Sequence, residues 1–372
     1  MRHAVGGGLE QSLLAAPATF DNEPTSPDDI AIWLFTSGST GKPKAAVHMH
    51  HDFAFNTETY AKQVLQIRDT DITVSVPKLF FGYATGTNLM FPFAVGAQTV
   101  LFEEKSTPER LFDLIERYRP TVLTSVPTMI GKMLALPDAG SRDLASLRVT
   151  ISAGEALPEE LYRRWVETFR SEILDGIGSA ELFHIYISNR FGEVRPGTLG
   201  RVVPGYEAKI VDDAGNELPP GEIGTLWVKG DSAALCYFQA HEKSKEVLRG
   251  DWVVSGDKFV VDADGYFHYA GRTDDLLKVG GIFVAPVEVE GILMQHPAVL
   301  ECVVVGYEED RLVKAKAVVV CKQGFSAGQS LAEDILALAR ARLVHYKVPR
   351  RVEFRDSLPR SDRGKIVRRE VK

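Results

Sequence analysis

Cysteine is scarce in this sequence. Only Cys236, Cys302 and Cys321 occur among 372 residues, and no two of them form a Cys-x-x-Cys pair. The spacing argues against a disulfide framework and against a cysteine zinc site. It is typical of a reduced protein, and we predict a cytoplasmic location.

A long unbroken hydrophobic run is also lacking. The longest apolar stretch, Leu89–Phe102, is interrupted by Pro92, Gly96 and Gln98, which predicts buried core and no membrane span. The triplet Gly6-Gly7-Gly8 stands where a secretory signal would carry its apolar stretch, so we do not expect secretion.

The sequence has no excess of positive charge. Its formal net charge is −7, which argues against a nucleic-acid partner. The charge is uneven, because residues 342–372 hold 11 Lys and Arg against 4 Asp and Glu. His48, His50 and His51 cluster in sequence, but we find no carboxylate partner at ligand spacing and predict no metal site there.

What the sequence does contain is an alternation of apolar strands with helical segments. The expected strands include Ile72–Val76, Val122–Ser125 and Val149–Ser152, and the expected helices are Thr107–Tyr118 and Pro158–Arg170. This order predicts an α/β fold with a mainly parallel sheet. A chain of 372 residues has room for about two domains.

We therefore predict three segments. Residues 1–29 form a linker or arm, residues 30–273 a large domain, and residues 274–372 a small α+β domain. Short alternating strands separated by Asp-Ala-Gly turns add a β-rich subdomain over about 200–270. No internal repeat is evident.

The run from Thr36 to Lys44 has the composition of a phosphate-binding loop. Glycines allow backbone N–H groups to turn inward, hydroxyls donate hydrogen bonds, and a lysine adds charge. Pro43 stands where a Walker A loop needs its second glycine, so this loop is of another kind. After Ile30 we expect strand, loop and helix. The predicted phosphate ligands are Thr36, Ser37, Gly38, Ser39, Thr40, Gly41 and Lys44.

This run resembles the phosphate loop of the adenylate-forming superfamily, which includes acyl-CoA synthetases, carrier-protein adenylation domains and luciferases. Further segments match that superfamily in the same order. The segment Asp175–Glu181 resembles its aromatic-Gly-x-Thr-Glu motif, with Ala180 in place of the usual Thr. The resemblance implies that Glu181 holds Mg²⁺ beside the nucleotide, which Asp175, Gly176 and Ile177 help to bind.

Other nucleotide contacts are implied by the same resemblance. The turn Ser152–Leu157, with Gly154 and Glu155, resembles the adenine side of the pocket. Asp257 would accept the ribose hydroxyls, and Arg272 would lie near the ribose and phosphate.

The C-terminal matches imply catalysis and domain movement. Asp274 matches the hinge of the small domain, and Gly281 the passage for the pantetheine arm. Lys365, in the segment Pro359–Ile366, is the main catalytic candidate. A positioned ammonium would stabilise charge that builds on the α-phosphoryl oxygens during adenylation.

Flanking segments are similar to the benzoate–CoA ligase branch. They are Lys78–Gly86, Leu182–Asn189 and Lys278–Ile282. By this similarity the acyl pocket would be lined by Phe81, Tyr83, His184, Ile185 and Lys278. Aromatic and apolar side chains suit a flat ring, while His184 or Lys278 could meet a carboxylate or a ring substituent. The alternative for Phe80 and Phe81 is that they are simple core.

The activity implied is that of an aromatic-acid–CoA ligase that uses ATP, Mg²⁺ and coenzyme A on a small aromatic carboxylate. One alternative is an enzyme that loads a carrier protein. Another is a catalytically silent nucleotide-binding fragment, which Ala180 favours. Family members carry an N-terminal segment before the phosphate loop, so we expect an N-terminally shortened version of the fold. A homodimer is left open.

Overall fold

A computed structural model describes residues 11–12, 14–19, 21–37, 43–272, 276–279, 282–309, 312–360 and 366–371. The side chains of Ser37, Arg272, Lys278, Ile282, Phe283, Leu312 and Arg369 are outside this description. Within the described ranges, no helix combines the length and apolar character needed to cross a bilayer.

The strands follow one another in this order: β1 Ile30–Ser37, β2 Pro43–Met49, β3 Ile72–Ser75, β4 Gln98–Val100, β5 Val122–Ser125, β6 Val149–Ser152, β7 Ile173–Gly178, β8 Ile185–Ser188, β9 Arg201–Val202, β10 Glu207–Val211, β11 Gly224–Lys229, β12 Cys236–Tyr237, β13 Leu248–Arg249, β14 Trp252–Val261, β15 Phe267–Arg272, β16 Leu277–Val279, β17 Ile282–Val284, β18 Val299–Glu309, β19 Leu312–Cys321 and β20 Arg351–Phe354.

The α-helices are α1 His50–Asn56, α2 Gly82–Thr85, α3 Phe91–Val95, α4 Pro108–Tyr118, α5 Pro127–Leu134, α6 Glu159–Phe169, α7 His241–Val247, α8 Pro286–Leu293 and α9 Gln329–Arg342. Two π-helical segments, Thr57–Val64 and Gly86–Met90, extend α1 and α2. Short 3₁₀ turns occur at Ala139–Ser141, Ala180–Leu182, His345–Lys347 and Arg368–Glu370.

A seven-stranded sheet in the order β4-β3-β5-β6-β7-β8-β9 forms the centre of the large domain. Strands β4 to β7 pair in parallel, whereas β8 and β9 are antiparallel. The prediction of an α/β fold with a mainly parallel sheet is confirmed. Strand β7 is the last parallel strand, and the chain turns back on itself directly after it.

Apolar layers cover both faces of this sheet. Leu123 packs in one cluster with residues of α4, α5 and α6, while its neighbour Val122 packs in the cluster on the other face, with Tyr60 and Phe91. This two-residue alternation is what a strand requires. Helix α4 begins as expected, with the Thr107 hydroxyl accepting a hydrogen bond from Arg110 N at 3.2 Å.

Two sequence predictions need correction. The phosphate loop is followed by a strand, β2, before any helix, so it connects two antiparallel strands. The stretch Leu89–Phe102 is only partly core: Phe91 is fully buried, whereas Phe93 is 61% exposed and Leu101 60% exposed.

The β-rich region consists of β10, β11, β14 and β13, with β15 added to β14. Its longest strand, β14, contains Asp257. At the C-terminal end, β18 pairs antiparallel with β19 and β19 pairs in parallel with β20, beside α8 and α9. These strands and helices have the α+β character predicted for this region. The boundary at Asp274 lies outside the described residues.

Candidate functional site

The phosphate loop is held at its base by a regular antiparallel ladder. Thr36 on β1 lies opposite Lys44 on β2, and Ser37 lies opposite Pro43. The backbone pairing therefore fixes where the loop leaves and rejoins the sheet. Its tip, Gly38, Ser39, Thr40 and Gly41, is outside the described residues.

Lys44, at the end of this loop, is linked to Glu181 through the side chain of Tyr237. Its ammonium lies 5.5 Å from the centroid of the Tyr237 ring, within cation–π range. The Tyr237 hydroxyl in turn donates a hydrogen bond of 2.5 Å to Glu181 Oε1. Burial and the nearby Glu181 carboxylate both raise the pKa of Tyr237. The structure thus brings together the ends of the first two predicted motifs.

Glu181 lies on a tightly bent segment between β7 and β8. Ala180–Leu182 form a 3₁₀ turn, and Phe183 follows with φ +66° and ψ −50°. Its flanking residues close a three-residue γ-turn, since His184 N donates to Leu182 O at 2.8 Å. A positive φ at an aromatic residue is strained, and such strain persists only where the surroundings impose it.

Tyr186 is influenced by both Glu181 and Asp257, the predicted ribose ligand. This fully buried tyrosine on β8 has a raised pKa, first because of burial and then because of the nearby Asp257 and Glu181 carboxylates. Both carboxylates therefore act on a single phenol, from different parts of the chain.

Asp257 and Arg272 are brought together by strand register. They are paired positions on the antiparallel strands β14 and β15. Asp257 Oδ1 accepts a hydrogen bond from Tyr269 at 3.3 Å, and Asp257 N donates to Ser255 Oγ at 3.1 Å. The two predicted ribose-side residues thus share one position in the sheet.

Asp175 and the adenine-side turn also meet at neighbouring strands. Asp175 on β7 pairs with Ser152 on β6, directly before the turn that holds Gly154 and Glu155. Glu155 accepts hydrogen bonds from the backbone and hydroxyl of Thr128, at 3.2 and 2.6 Å. This fastens the turn to the start of α5, while Gly154 adopts φ +88°.

The Asp175 carboxyl is buried, and burial raises its pKa to about 8 because the charged form loses its water. The Ser152 side chain and the amides of Leu157 and Gly176 act in the opposite direction. Ile177, two residues on, is half-buried. Asp175 therefore differs from an ordinary surface carboxylate in being protonated near neutral pH.

His184 is a buried, neutral ring. Burial lowers its pKa to about 4, and Nε2 lies 3.2 Å from the carbonyl oxygen of Tyr83. A carbonyl only accepts, so Nε2 carries the proton. Nδ1 is then an acceptor, and it is buried without a hydrogen-bond partner among the described residues. A neutral ring offers no charge to a carboxylate, which leaves a ring substituent as its predicted contact.

The other acyl-pocket candidates differ in exposure. Tyr83 packs against His184, with ring centroids 5.7 Å apart, and Ile185 is 1% exposed. Phe81 is 36% exposed and Phe80 77% exposed, so the alternative that Phe80 is core is wrong. Lys278 lies on β16.

Besides the tip of the phosphate loop, three further predicted residues lie outside the described part of the chain. They are the catalytic candidate Lys365, the hinge candidate Asp274 and the pantetheine-passage candidate Gly281. Their roles stay predictions.

Tyr186 and Tyr237 were missed by sequence reasoning. Tyr237 is on β12, which pairs with β2, so it reaches Glu181 through sheet pairing across 56 positions. No local spacing signals such a contact. Tyr186 could have been found, because it lies inside the segment Leu182–Asn189 that carried the narrower resemblance.

Glu181 is the predicted metal ligand of this site. Among the described residues there is no cluster of three or more His, Cys, Asp or Glu side chains suited to a metal ion. Mg²⁺ usually keeps several waters and takes one or two carboxylates together with substrate phosphates. Glu181 near the base of the phosphate loop fits that arrangement.

Comparisons with known proteins agree with this arrangement. The family model described as AMP-binding enzyme matches residues 5–238, and that of the AMP-binding enzyme C-terminal domain matches residues 288–365. A benzoate–CoA ligase from Thauera aromatica is 47% identical over 369 residues, which is 98% of this chain and 70% of that protein.

Two solved structures are also similar. A benzoate CoA ligase from Burkholderia xenovorans LB400 has a TM-score of 0.90 and 44% identity, over 97% of this chain and 72% of the other. An anthranilate CoA ligase solved with anthranoyl-AMP has a TM-score of 0.93 and 42% identity, over 97% and 70%. With its motifs, fold and relatives in agreement, the chain belongs to the AMP-binding enzyme family, in its benzoate–CoA ligase group.

Proposed function

We propose that this chain is an AMP-forming ligase that joins an aromatic carboxylate to coenzyme A, using ATP. The observation that carries the proposal is the connected path from Lys44 through Tyr237 to Glu181, with Asp257 acting on the same neighbouring phenol as Glu181. These contacts support a site in which the phosphate-binding, metal-binding and ribose-binding candidates act together.

In the first half-reaction, a carboxylate oxygen attacks the α-phosphorus of ATP. A bond forms between that oxygen and phosphorus, the bond to the β-phosphate oxygen breaks, and pyrophosphate leaves. The backbone and hydroxyls of the phosphate loop, with Lys44, bind the β- and γ-phosphates. Asp257 and Arg272 hold the ribose, and Lys365 stabilises the charge at the α-phosphate.

Glu181 would hold Mg²⁺, which when bound neutralises phosphate charge. The Glu181 carboxylate is oriented for this by the Tyr237 hydroxyl. Ala180 lacks the hydroxyl of the usual Thr, and its methyl group packs against Ala46, Ala234 and Tyr237. Apolar packing therefore holds the turn at Ala180, the position where other proteins with this motif usually have a threonine.

In the second half-reaction, the CoA thiol attacks the acyl carbon of the acyl-adenylate. The thioester bond forms, AMP leaves, and the thiol proton passes to solvent. We assign the change between half-reactions to rotation about Asp274, which withdraws Lys365 and presents the segment Lys278–Gly281.

The acid is expected to be aromatic. The candidates Tyr83, His184 and Ile185 would line its pocket with rings and an aliphatic group, and the neutral His184 would add an acceptor nitrogen without a charge. Flat, weakly polar acids fit such a surface better than charged or long flexible ones.

Pyrophosphate release tests the proposal. The purified chain is incubated with ATP, Mg²⁺ and benzoate, with and without CoA, beside the variants Lys365→Ala and Arg363→Ala. We expect benzoate-dependent release that Lys365→Ala abolishes and Arg363→Ala retains, and a CoA-dependent thioester product. Release without a thioester would instead favour a carrier-protein acceptor. A folded chain that releases none over a panel of aryl and alkyl acids would overturn the proposal.

A further inference from the structure

His48 is fully buried on β2, the strand that leaves the phosphate loop, and its ring contacts the turn that holds Glu181. The first residues of β2 pair with the end of β1. His48 Nε2 is 2.7 Å from the carbonyl oxygen of Ala180, and His48 Nδ1 is 2.6 Å from Asp52 Oδ2. Since the carbonyl can only accept, Nε2 donates to Ala180.

Asp52 holds the other side of the imidazole. It is fully buried on the first turn of α1, and its Oδ2 also accepts from Met49 N at 3.2 Å. Its second oxygen is 2.6 Å from His51 Nδ1. Asp52 is thus the carboxylate partner of His48 and His51 that the sequence analysis did not find, and it orients the His48 ring.

The bond to Ala180 acts on a strained segment. Phe183, with its positive φ, packs edge-on against His48 with ring centroids 5.5 Å apart, and against Phe53 at 4.9 Å. On the far side, Ser232 Oγ donates to Leu182 O at 2.9 Å. A turn this strained needs such contacts to keep one conformation.

We propose that His48, oriented by Asp52, is a positioning residue that fixes Glu181 relative to the phosphate loop. It touches neither substrate nor metal, and acts through the Ala180 carbonyl, one residue before Glu181. The role rests on the proposed function, because it matters only if Glu181 and the loop bind the same metal–nucleotide complex.

Two substitutions separate the two hydrogen bonds of His48. In His48→Gln the amide nitrogen takes the place of Nε2 and can still donate to Ala180. In His48→Asn the amide nitrogen takes the place of Nδ1 and reaches only Asp52. Both variants carry the same polar amide group, so they differ from each other chiefly in which bond survives.

The measurement is the factor by which Mg²⁺ tightens ATP binding, from titration calorimetry of the full chain with and without the metal. We expect His48→Asn to lower this factor about tenfold, the effect of losing one well-placed hydrogen bond. His48→Gln should stay within about twofold of the wild-type chain. Metal-free ATP affinity should be similar in all three.

Thr121→Val is the matched control. It removes a hydrogen bond of 2.6 Å to Asp71 on a distant part of the sheet. We expect a lower thermal midpoint with an unchanged Mg²⁺ factor, which separates loss of stability from loss of positioning. Should His48→Asn fail to fold, Asp52→Asn takes its place, and a lowered factor is expected there too.

The outcomes distinguish the two proposals. A wild-type factor in His48→Asn, or in Asp52→Asn where it replaces it, would overturn the positioning role alone. A wild-type chain whose ATP affinity does not respond to Mg²⁺ would overturn the proposed function and this role with it.

Discussion

The Glu181 carboxylate depends on neighbours that are far from it in the chain. Tyr237 donates to its side chain, and Ala234 N donates to its backbone carbonyl at 2.8 Å. Both neighbours come from the region around β12, which pairs with the strand after the phosphate loop. Substitutions at Tyr237 or Ala234 should therefore change the rate of pyrophosphate release.

Glu181→Gln removes the charge and keeps an acceptor for Tyr237. We expect benzoate-dependent pyrophosphate release to fall at least about a hundredfold, since the amide is a poor ligand for a hard cation. Tyr237→Phe keeps the carboxylate and loses only its orienting bond, worth about 1.5–3 kcal/mol to a charged group, so a smaller fall of about 10- to 100-fold is expected. Steady-state kinetics of both variants check the order. Equal rates for Glu181→Gln and the wild-type chain would remove Glu181 from the site.

Asp175→Asn should change how stability depends on pH. Burial raises the pKa of Asp175 to about 8, well above the ordinary value of an aspartate, so over the intervening pH range the folded chain binds a proton that the unfolded chain has lost. Wild-type stability is therefore lost as pH rises from about 4 through 8, by up to about 1.4 kcal/mol per pH unit. Asn cannot ionise and should lose none of this.

Urea unfolding of the two chains across this pH range measures the difference, in which the contribution of His184 cancels. A constant difference in unfolding free energy from pH 4 to 8 would mean that Asp175 ionises normally in the folded chain.

The turn between β7 and β8 has almost no space around its backbone. A Cβ on Gly178 would lie 2.5 Å from the His184 carbonyl oxygen, which belongs to the backbone of the γ-turn. The close approach of the strands thus requires glycine at this position, and the turn can only form where the neighbouring strand lacks a side chain.

Gly178→Ala should destabilise the chain by about 1–3 kcal/mol or more, because backbone rather than a flexible side chain must move. Gly291→Ala is the contrasting change, since Gly291 is inside α8 and, among the described residues beyond its chain neighbours and the nearby helix backbone, no atom lies within 4 Å of its would-be Cβ. There we expect a gain of about 0.5–1 kcal/mol from helix propensity. Denaturant unfolding compares both with the wild-type chain, and a stable Gly178→Ala would contradict the close approach.

Much of the order of helices and strands could be predicted from the sequence, because hydrophobic periodicity and the residues that begin or end an element are local properties of the chain. Strand β5 and helix α4 match their predictions closely, and the latter is capped by Thr107 as its sequence indicates. Strand β2 was missed because Pro43 and Lys44 look like a loop, and only pairing with β1 and β12 makes them a strand.

The site was predictable to a different degree. Motif residues such as Glu181 and Asp257 were found by resemblance. A resemblance predicts which positions belong to the site, but it does not predict the residues that contact them. His48, Tyr186 and Tyr237 act through contacts across the sheet, and the ring of His184 is neutral because of burial. Burial and long-range pairing are properties of the fold that no short segment encodes.

At the scale of the whole molecule, five large apolar side chains on or beside the small sheet β1-β2-β12 are exposed among the described residues. Trp33 and Phe238 pack edge-to-face on it with centroids 5.7 Å apart, yet both remain about half exposed. The five side chains are Ile30, Trp33, Phe35, Leu235 and Phe238. Exposed apolar surface of this kind promotes association.

We expect the purified chain to self-associate through this surface. Joint substitution of Phe35→Ser and Phe238→Ser should lower the weight-average mass at a given concentration, as measured by sedimentation velocity. Leu300→Ser, at a position 45% exposed on β18, is the control and should leave the mass unchanged. Identical masses for the double variant and the wild-type chain would place the association elsewhere.

The γ-turn at Phe183 has one more consequence, for how this protein can be altered. It places Glu181, the predicted metal ligand, and His184, a predicted acyl-pocket residue, three positions from each other across a single bend. We therefore expect metal affinity and acid preference to depend on the same bend of the backbone. Variants selected at His184 for a new acid should shift the Mg²⁺ requirement as well, and second-site changes that restore it should arise near His48 and Phe53, whose rings hold the bend.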